Sequence, residues 1–228
     1  MTMPIFFIPI NYPERKTFFQ LMDLLAANHV KTIELGIPVT NAYQDGPLIQ
    51  KINRCLLQNG LTINDISDTL KQIKQNYEFK IVIMTYYEGI QQLRFGQLDH
   101  ALYDAILCVD HELPKEIYPN IVSIISPGLS LETIRQKVEQ SNTFIYLTSS
   151  NAKTGSLIDL KHAPYKEIIL SIRQMTSLPI YVGFGIKNNE DVQRVIENGA
   201  DGSIIGSQLL KHYETQGLPG VSQYLQTF

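Results

Sequence analysis

The chain of 228 residues has no tryptophan and only two cysteines, Cys55 and Cys108. Neither cysteine stands in a metal-ligand or redox spacing, so the sequence argues against a zinc module or a thioredoxin-type pair. With no export signal in view, both read as buried thiols of a reducing cytoplasm. Long apolar runs are also missing. None approaches the ~20 residues that a membrane span needs. The opening MTMPIFFIPI lacks the charged start and small-residue cleavage site of a secretory leader. Clusters of lysine and arginine are missing too, and with a formal net charge of −3 and a pI near 5.9 the chain carries no nucleic-acid footprint. Five histidines, His29, His100, His111, His162 and His212, are scattered without HExxH or similar spacing, so no metal is expected. No nucleophile elbow is present, nor any repeat of 20–50 residues.

What is there is a rhythm of strand and helix over an ordinary globular composition, 44% hydrophobic and 18% charged. Apolar, strand-sized runs occur at Ile5–Ile10, Lys31–Ile37, Lys80–Tyr86, Ala105–Asp110, Asn120–Ser126, Thr143–Ser149, Leu178–Gly185 and Gly202–Ser207. Between them the apolar period switches to that of helices: Glu14–Asn28, Gly46–Asn59, a stretch opened by Thr62 with Asp65 behind it, Glu88–Leu102, Ser130–Gln140, Pro164–Met175, Asn189–Asn198 and Leu209–Leu225. Only Leu113–Tyr118 is too tightly bracketed by Pro114 and Pro119 for more than a helical turn. Near-continuous apolar strands suit a parallel sheet covered on both faces. Eight such units with no spare segment predict a single-domain (β/α)8 TIM barrel over residues 1–228. An open doubly wound sheet is disfavoured, because its first βα turn is usually glycine-rich and here reads Asn11-Tyr12-Pro13.

The most informative stretch is Lys31 to Pro47, KTIELGIPVTNAYQDGP. On a strand, Ile33, Leu35 and Ile37 share one face and Thr32, Glu34 and Gly36 the other. Glu34 is thereby carried into the interior, where a carboxylate needs a partner or a task. A second acid, Asp45, closes the following loop. Two acids converging on one cleft suit general acid–base chemistry; an ion pair for Glu34 and a turn for Asp45 are the competing structural readings.

Barrels place phosphate sites after strands seven and eight. Here those strands end in Gly183-Phe184-Gly185 and Gly206-Ser207, with Thr154-Gly155 in the loop after strand six. Glycine lets backbone N–H groups approach an anion, helped by a helix N-terminus; tight rim turns would use glycine as well. Tyr86 and Tyr146 fall at strand ends, facing the pocket or merely the rim. Phe7, Leu107, Val109 and Ile125 alternate onto the expected interior, as a pocket wall or as core filling. Asp110, ending strand four, reads equally as a functional acid or a loop cap.

Taken in order, Glu34-Leu35-Gly36-Ile37-Pro38, Asp45-Gly46-Pro47, Met84-Thr85-Tyr86-Tyr87, Thr154-Gly155, Gly183-Phe184-Gly185-Ile186, Asp201-Gly202 and Gly206-Ser207 resemble the tryptophan synthase α chain family over nearly the whole chain. The resemblance implies a lyase that cleaves indole-3-glycerol phosphate to indole and glyceraldehyde 3-phosphate without a cofactor. Carried over by motif, Glu34 matches the catalytic acid/base, Asp45 the acid facing the indole N–H, and Tyr146 the strand-six tyrosine beside them. Gly155, Gly185, Gly206 and Ser207 match the phosphate cradle, with Thr154 and Phe184 beside it. The family's partner is a pyridoxal-phosphate-dependent β chain.

Several segments depart from the family pattern. Its helix ahead of the first strand has no counterpart before Ile5, and the segment after strand four is cut to Leu113–Pro119. Thr40-Asn41-Ala42, Glu88 and Ala152-Lys153 replace the usual residues of loops that meet the β chain or close over substrate. Two alternatives therefore stand beside the lyase: a barrel of weak activity that binds or regulates a partner, and an aldolase for another phosphorylated substrate.

Overall fold

A computed structural model describes residues 3–150 and 165–228. Its eight parallel strands are β1 Ile5–Pro9, β2 Thr32–Gly36, β3 Lys80–Thr85, β4 Ala105–Cys108, β5 Ser123–Ile125, β6 Ile145–Thr148, β7 Ile180–Gly183 and β8 Gly202–Ile205. They neighbour one another in the order β4-β3-β2-β1-β8-β7-β6-β5. The two outer strands meet through one bridge, Ile106 to Ile121. There the Ile106 N–H donates to the Asn120 carbonyl and the Val122 N–H to the Ile106 carbonyl, both at 2.9 Å. The sheet is thus a barrel with its seam between β4 and β5, the TIM-barrel arrangement expected from the alternation of strand and helix.

The helices are α1 Arg15–Ala27, α2 Pro47–Gln58, α3 Ile63–Asn76, α4 Tyr87–Gln92, α5 Leu131–Gln140, α6 Tyr165–Arg173, α7 Asn189–Glu197 and α8 Ser207–Leu225. Local chemistry sets several of their starts. Thr62 and Asp65 form a reciprocal capping box at α3. The Ser130 and Asn188 side chains each accept a backbone N–H at α5 and α7. The last helix breaks at Gly217, where φ is +63°, ahead of Pro219. No described helix is long and apolar enough to cross a membrane.

Three expectations change. The helix predicted over Glu88–Leu102 stops at Gln92, and short 3₁₀ turns at Phe95–Gln97 and His100–Leu102 follow a left-handed Arg94. Two glycines and a weak apolar period leave that segment without a continuous face to bury. Cys55 is exposed rather than buried, because α2 turns Ile49, Ile52, Asn53 and Leu56 inward and position 55 falls off that face. The third change lies in β5. Ile124, not Ile125, aligns with the inward Tyr146, while Ile125 aligns with Leu147 on the helix-facing side. A slip of one residue exchanges the two faces of a strand, and a three-residue strand carries too little pattern to fix it.

Between β4 and β5 no helix forms, as the two prolines lead one to expect. Leu113 and Tyr118 are buried there instead, as part of the main core. Just ahead of β4 and of β8, two aspartates repeat one device. Asp104 accepts the Ile81 N–H at 2.7 Å and pairs with Lys74. Asp201 accepts the Ile180 N–H at 2.7 Å and pairs with Arg173. The Asp201-Gly202 motif therefore serves the strand ends and not the site.

Candidate active site

The inward faces of β1, β2 and β3 bring Phe7, Glu34 and Val82 into one register row, with Gly36 and Met84 in the next. Glu34 thus points into the barrel, as alternation along β2 requires. It is 1% exposed. Its Oε1 has no hydrogen-bond partner among the described residues. Around it stand Phe7, Ile49, Met84, Tyr146 and Phe184, with Asp45 and Gly206 completing the wall. Burial first, and the charge of Asp45 second, push its carboxyl up to about 8. Glu34 therefore keeps its proton at neutral pH. The fold retains that proton where the unfolded chain has lost it, so this group's contribution lowers stability as pH rises from about 4.5 to about 8.

Asp45 lies in the β2–α2 loop, 9% exposed and bordering the same pocket. The Tyr86 hydroxyl donates to its Oδ2 at 3.1 Å and itself accepts the Gln44 N–H at 3.2 Å. Burial, then the charge of Asp45, raises the Tyr86 hydroxyl well above its ordinary range, which keeps it a donor. Gln50 of α2 ties the loop further, donating to the Ala42 and Asp45 carbonyls at 3.1 and 3.0 Å.

Tyr146 is buried, and burial, then Glu34, then Asp45 raise its hydroxyl above the usual range. A Cβ on Gly183 would come within 2.3 Å of that hydroxyl, so glycine is what admits the tyrosine. Gly36 does the same for Phe7, whose ring edge lies 2.4 Å from where a Cβ would be.

Beyond Tyr146 a second pocket opens against the start of α8. Phe184, Gly185, Gly206 and Ser207 line it together with Ile186, Lys187, Gln208 and Lys211. Phe184 and Gly185 both take positive φ, +70° and +75°, and Ser149 holds the turn by donating to the Phe184 carbonyl at 2.7 Å. A non-glycine residue in that region is uncommon and marks a place where the fold tolerates strain. The first N–H groups of a helix have no intrahelical partner and carry its positive end. Lys187 and Lys211 add positive charge, and neither forms an ion pair among the described residues. Tyr146, Phe184 and Gly206 border both pockets. One continuous cleft thus runs from two carboxyls to an anion-friendly end.

The family model for the tryptophan synthase alpha chain matches residues 2–224. The chain belongs to the tryptophan synthase alpha chain family. It is 30% identical to the tryptophan synthase alpha chain of Chloroflexus aggregans, over 96% of this chain and 88% of that one. With the alpha chain of Staphylococcus saprophyticus it shares 30% over 97% and 96%. In fold it is similar to the tryptophan synthase A-subunit of Pyrococcus furiosus, with a TM-score of 0.84 and 22% identity over 99% and 96% of the two chains. A tryptophan synthase complex from the same organism gives 0.83 at 22% identity, over 99% and 96%. The family is a lyase family of tryptophan biosynthesis, and its reaction splits indole-3-glycerol phosphate into indole and glyceraldehyde 3-phosphate.

Of the candidates read from sequence, Phe7, Glu34, Asp45, Tyr146, Phe184, Gly185, Gly206 and Ser207 line the cleft, and Tyr86 stands beside it holding Asp45. Thr154 and Gly155 lie outside the described residues. Leu107 faces inward in register with Met84 but sits in the core, away from the pocket lining. Val109 packs against both the main core and the small cluster of Val39, Ala42 and Tyr86, away from the pocket lining. Ile125 faces the helices. Asp110 is a loop cap, accepting the Tyr87 N–H at 2.8 Å. Sequence reasoning missed Ile49, Met84, Lys187 and Lys211. Lys211 had a legible signal: it follows Ser207 by four residues, one helical turn on the same face.

Proposed function

We propose that this chain cleaves indole-3-glycerol phosphate with Glu34 as the proton-transfer group and Asp45 as the electrostatic partner of the indole ring. The observation that carries the reading is a fully buried carboxyl whose Oε1 has no partner among the described residues, beside a second acid, at one end of a cleft whose other end suits a phosphate; burial and Asp45 push that carboxyl's pKa up. Carbon–carbon cleavage needs the ring carbon bearing the glycerol chain to be protonated first, since otherwise the bonding pair has nowhere to go. Glu34 supplies that proton. Positive charge then develops on the indole nitrogen, opposite Asp45. The Glu34 carboxylate next takes the proton of the adjacent glycerol hydroxyl. The carbonyl of glyceraldehyde 3-phosphate forms as the bond breaks, and the pair returns to the ring as indole. Glu34 ends protonated, ready for another cycle. Tyr146 closes the space over both acids.

The phosphate is assigned to Gly185, Gly206 and Ser207, with Thr154 and Gly155 as further candidates, held by backbone N–H groups and by Lys187 and Lys211. Replacing Lys211 by Met is expected to raise KM for indole-3-glycerol phosphate about tenfold, the scale of one charge-assisted contact, with kcat little changed. Steady-state indole release checks this, and an unchanged KM removes Lys211 from the phosphate site.

The partner is a tryptophan synthase β chain matched to this chain's own loops. Tyr43 and Tyr87 stay exposed there, and Tyr87 stacks on His111 with ring centroids 4.0 Å apart. We place the protein in the cytoplasm, with the rest of tryptophan biosynthesis. The test is indole release from indole-3-glycerol phosphate by the purified chain, alone and with a β chain. Formation of indole and glyceraldehyde 3-phosphate in equal amounts is expected; no product under either condition overturns the assignment.

A further inference from the structure

We infer that Glu88 is a positioning residue: its carboxylate latches the β2–α2 loop onto the start of α4 and so sets where Asp45 stands against the substrate. The inference rests on the reading of Asp45 given above.

Both carboxylate oxygens of Glu88 are engaged with that loop. Oε1 accepts the Thr40 N–H at 2.9 Å and Oε2 accepts the Asn41 N–H at 3.2 Å. Gln92, one turn along α4, braces the carboxylate by donating to Oε1 at 3.2 Å. Hydrogen bonds to an ionised acceptor are roughly twice as strong as neutral ones. Thr40 and Asn41 are themselves exposed, so burial does not hold them.

The loop is gripped from the same junction at its other end. Tyr86, two residues before Glu88, holds the Gln44 N–H and Asp45. Val39, Ala42 and Tyr86 pack together beneath the span between these ties. A loop fixed at both ends over its own apolar contact shifts as a unit. Releasing the Glu88 end therefore moves Asp45, which is four residues beyond Asn41.

The test is kcat and KM for indole release, with thermal melting, in Glu88→Ala and Glu88→Gln, each alone and combined with Asp45→Asn. Misplacing a reacting group by about an ångström costs up to roughly 10²-fold. Glu88→Ala is accordingly expected to lower kcat about tenfold or more while KM changes less than about twofold. Glu88→Gln keeps the size but loses the charge and should fall between wild type and Glu88→Ala; it carries the test if the alanine variant fails to fold. In the Asp45→Asn background the same changes should cost less than about twofold, because coupled residues are not additive. Equal losses in both backgrounds, or no loss in either Glu88 variant, overturn the latch. Full activity in Asp45→Asn overturns the reading of Asp45 and the latch with it, whereas loss there beside fully active Glu88 variants overturns the latch alone.

Discussion

Replacing Glu34 by Gln is expected to slow indole release by about 10²–10⁴-fold, the contribution typical of a positioned acid–base group. The substitution keeps the side chain's shape among Phe7, Met84 and Tyr146. It removes a proton that the protein holds at neutral pH because burial and Asp45 push the carboxyl up to about 8. An amide in its place can neither protonate the ring carbon nor accept the hydroxyl proton. KM should change little, since the proposed role of Glu34 is to exchange protons and not to hold the ground state. The fold should not suffer. A group whose pKa is raised by burial weakens the protein above its ordinary pKa, so the neutral amide should melt at the same temperature or higher near pH 9. Retention of near-full activity by Glu34→Gln would refute the acid–base assignment and favour a partner-binding role for the barrel.

Asp45→Asn is expected to reduce kcat by about 10²–10³-fold, the range for removing one preorganised group that faces charge developing in the transition state. The asparagine oxygen can still accept from the Tyr86 hydroxyl, which now donates to Asp45 at 3.1 Å, so the loop should stay in place. What is lost is the negative charge proposed to face the indole nitrogen. Because that charge matters after ring protonation and little before it, KM should move far less than kcat. A large rise in KM at constant kcat would instead make Asp45 a substrate-holding residue.

Much of this site was written in short-range pattern. Alternation along β2 put Glu34 inside because a strand has only two faces, and the neighbouring register rows with Phe7 and Met84 leave it no other. Gly185 and Gly206 were legible as cleft residues because a barrel places its glycine-rich strand ends seven and eight at one rim, where they border the same pocket. What escaped depends on contacts distant in sequence or on weak pattern. Ile124 and Ile125 exchange faces on the register of a three-residue strand. The Glu88 contacts join residues 47 and 48 positions apart, and nothing local to Glu88 announces them. Asp201 resembles a motif residue of the family, yet it spends its carboxylate on the Ile180 N–H and Arg173.

If Glu34 begins the reaction as the acid, its ionisation should govern the pH profile. The pH dependence of kcat/KM for indole release reports ionisations of the free enzyme, and a scan from about pH 6 to about pH 10 covers the one that matters. A falling limb with its midpoint near 8 is expected, where Glu34 loses its proton. A profile that stays level across that range would contradict it, since it would leave the carboxyl near its ordinary 4.5.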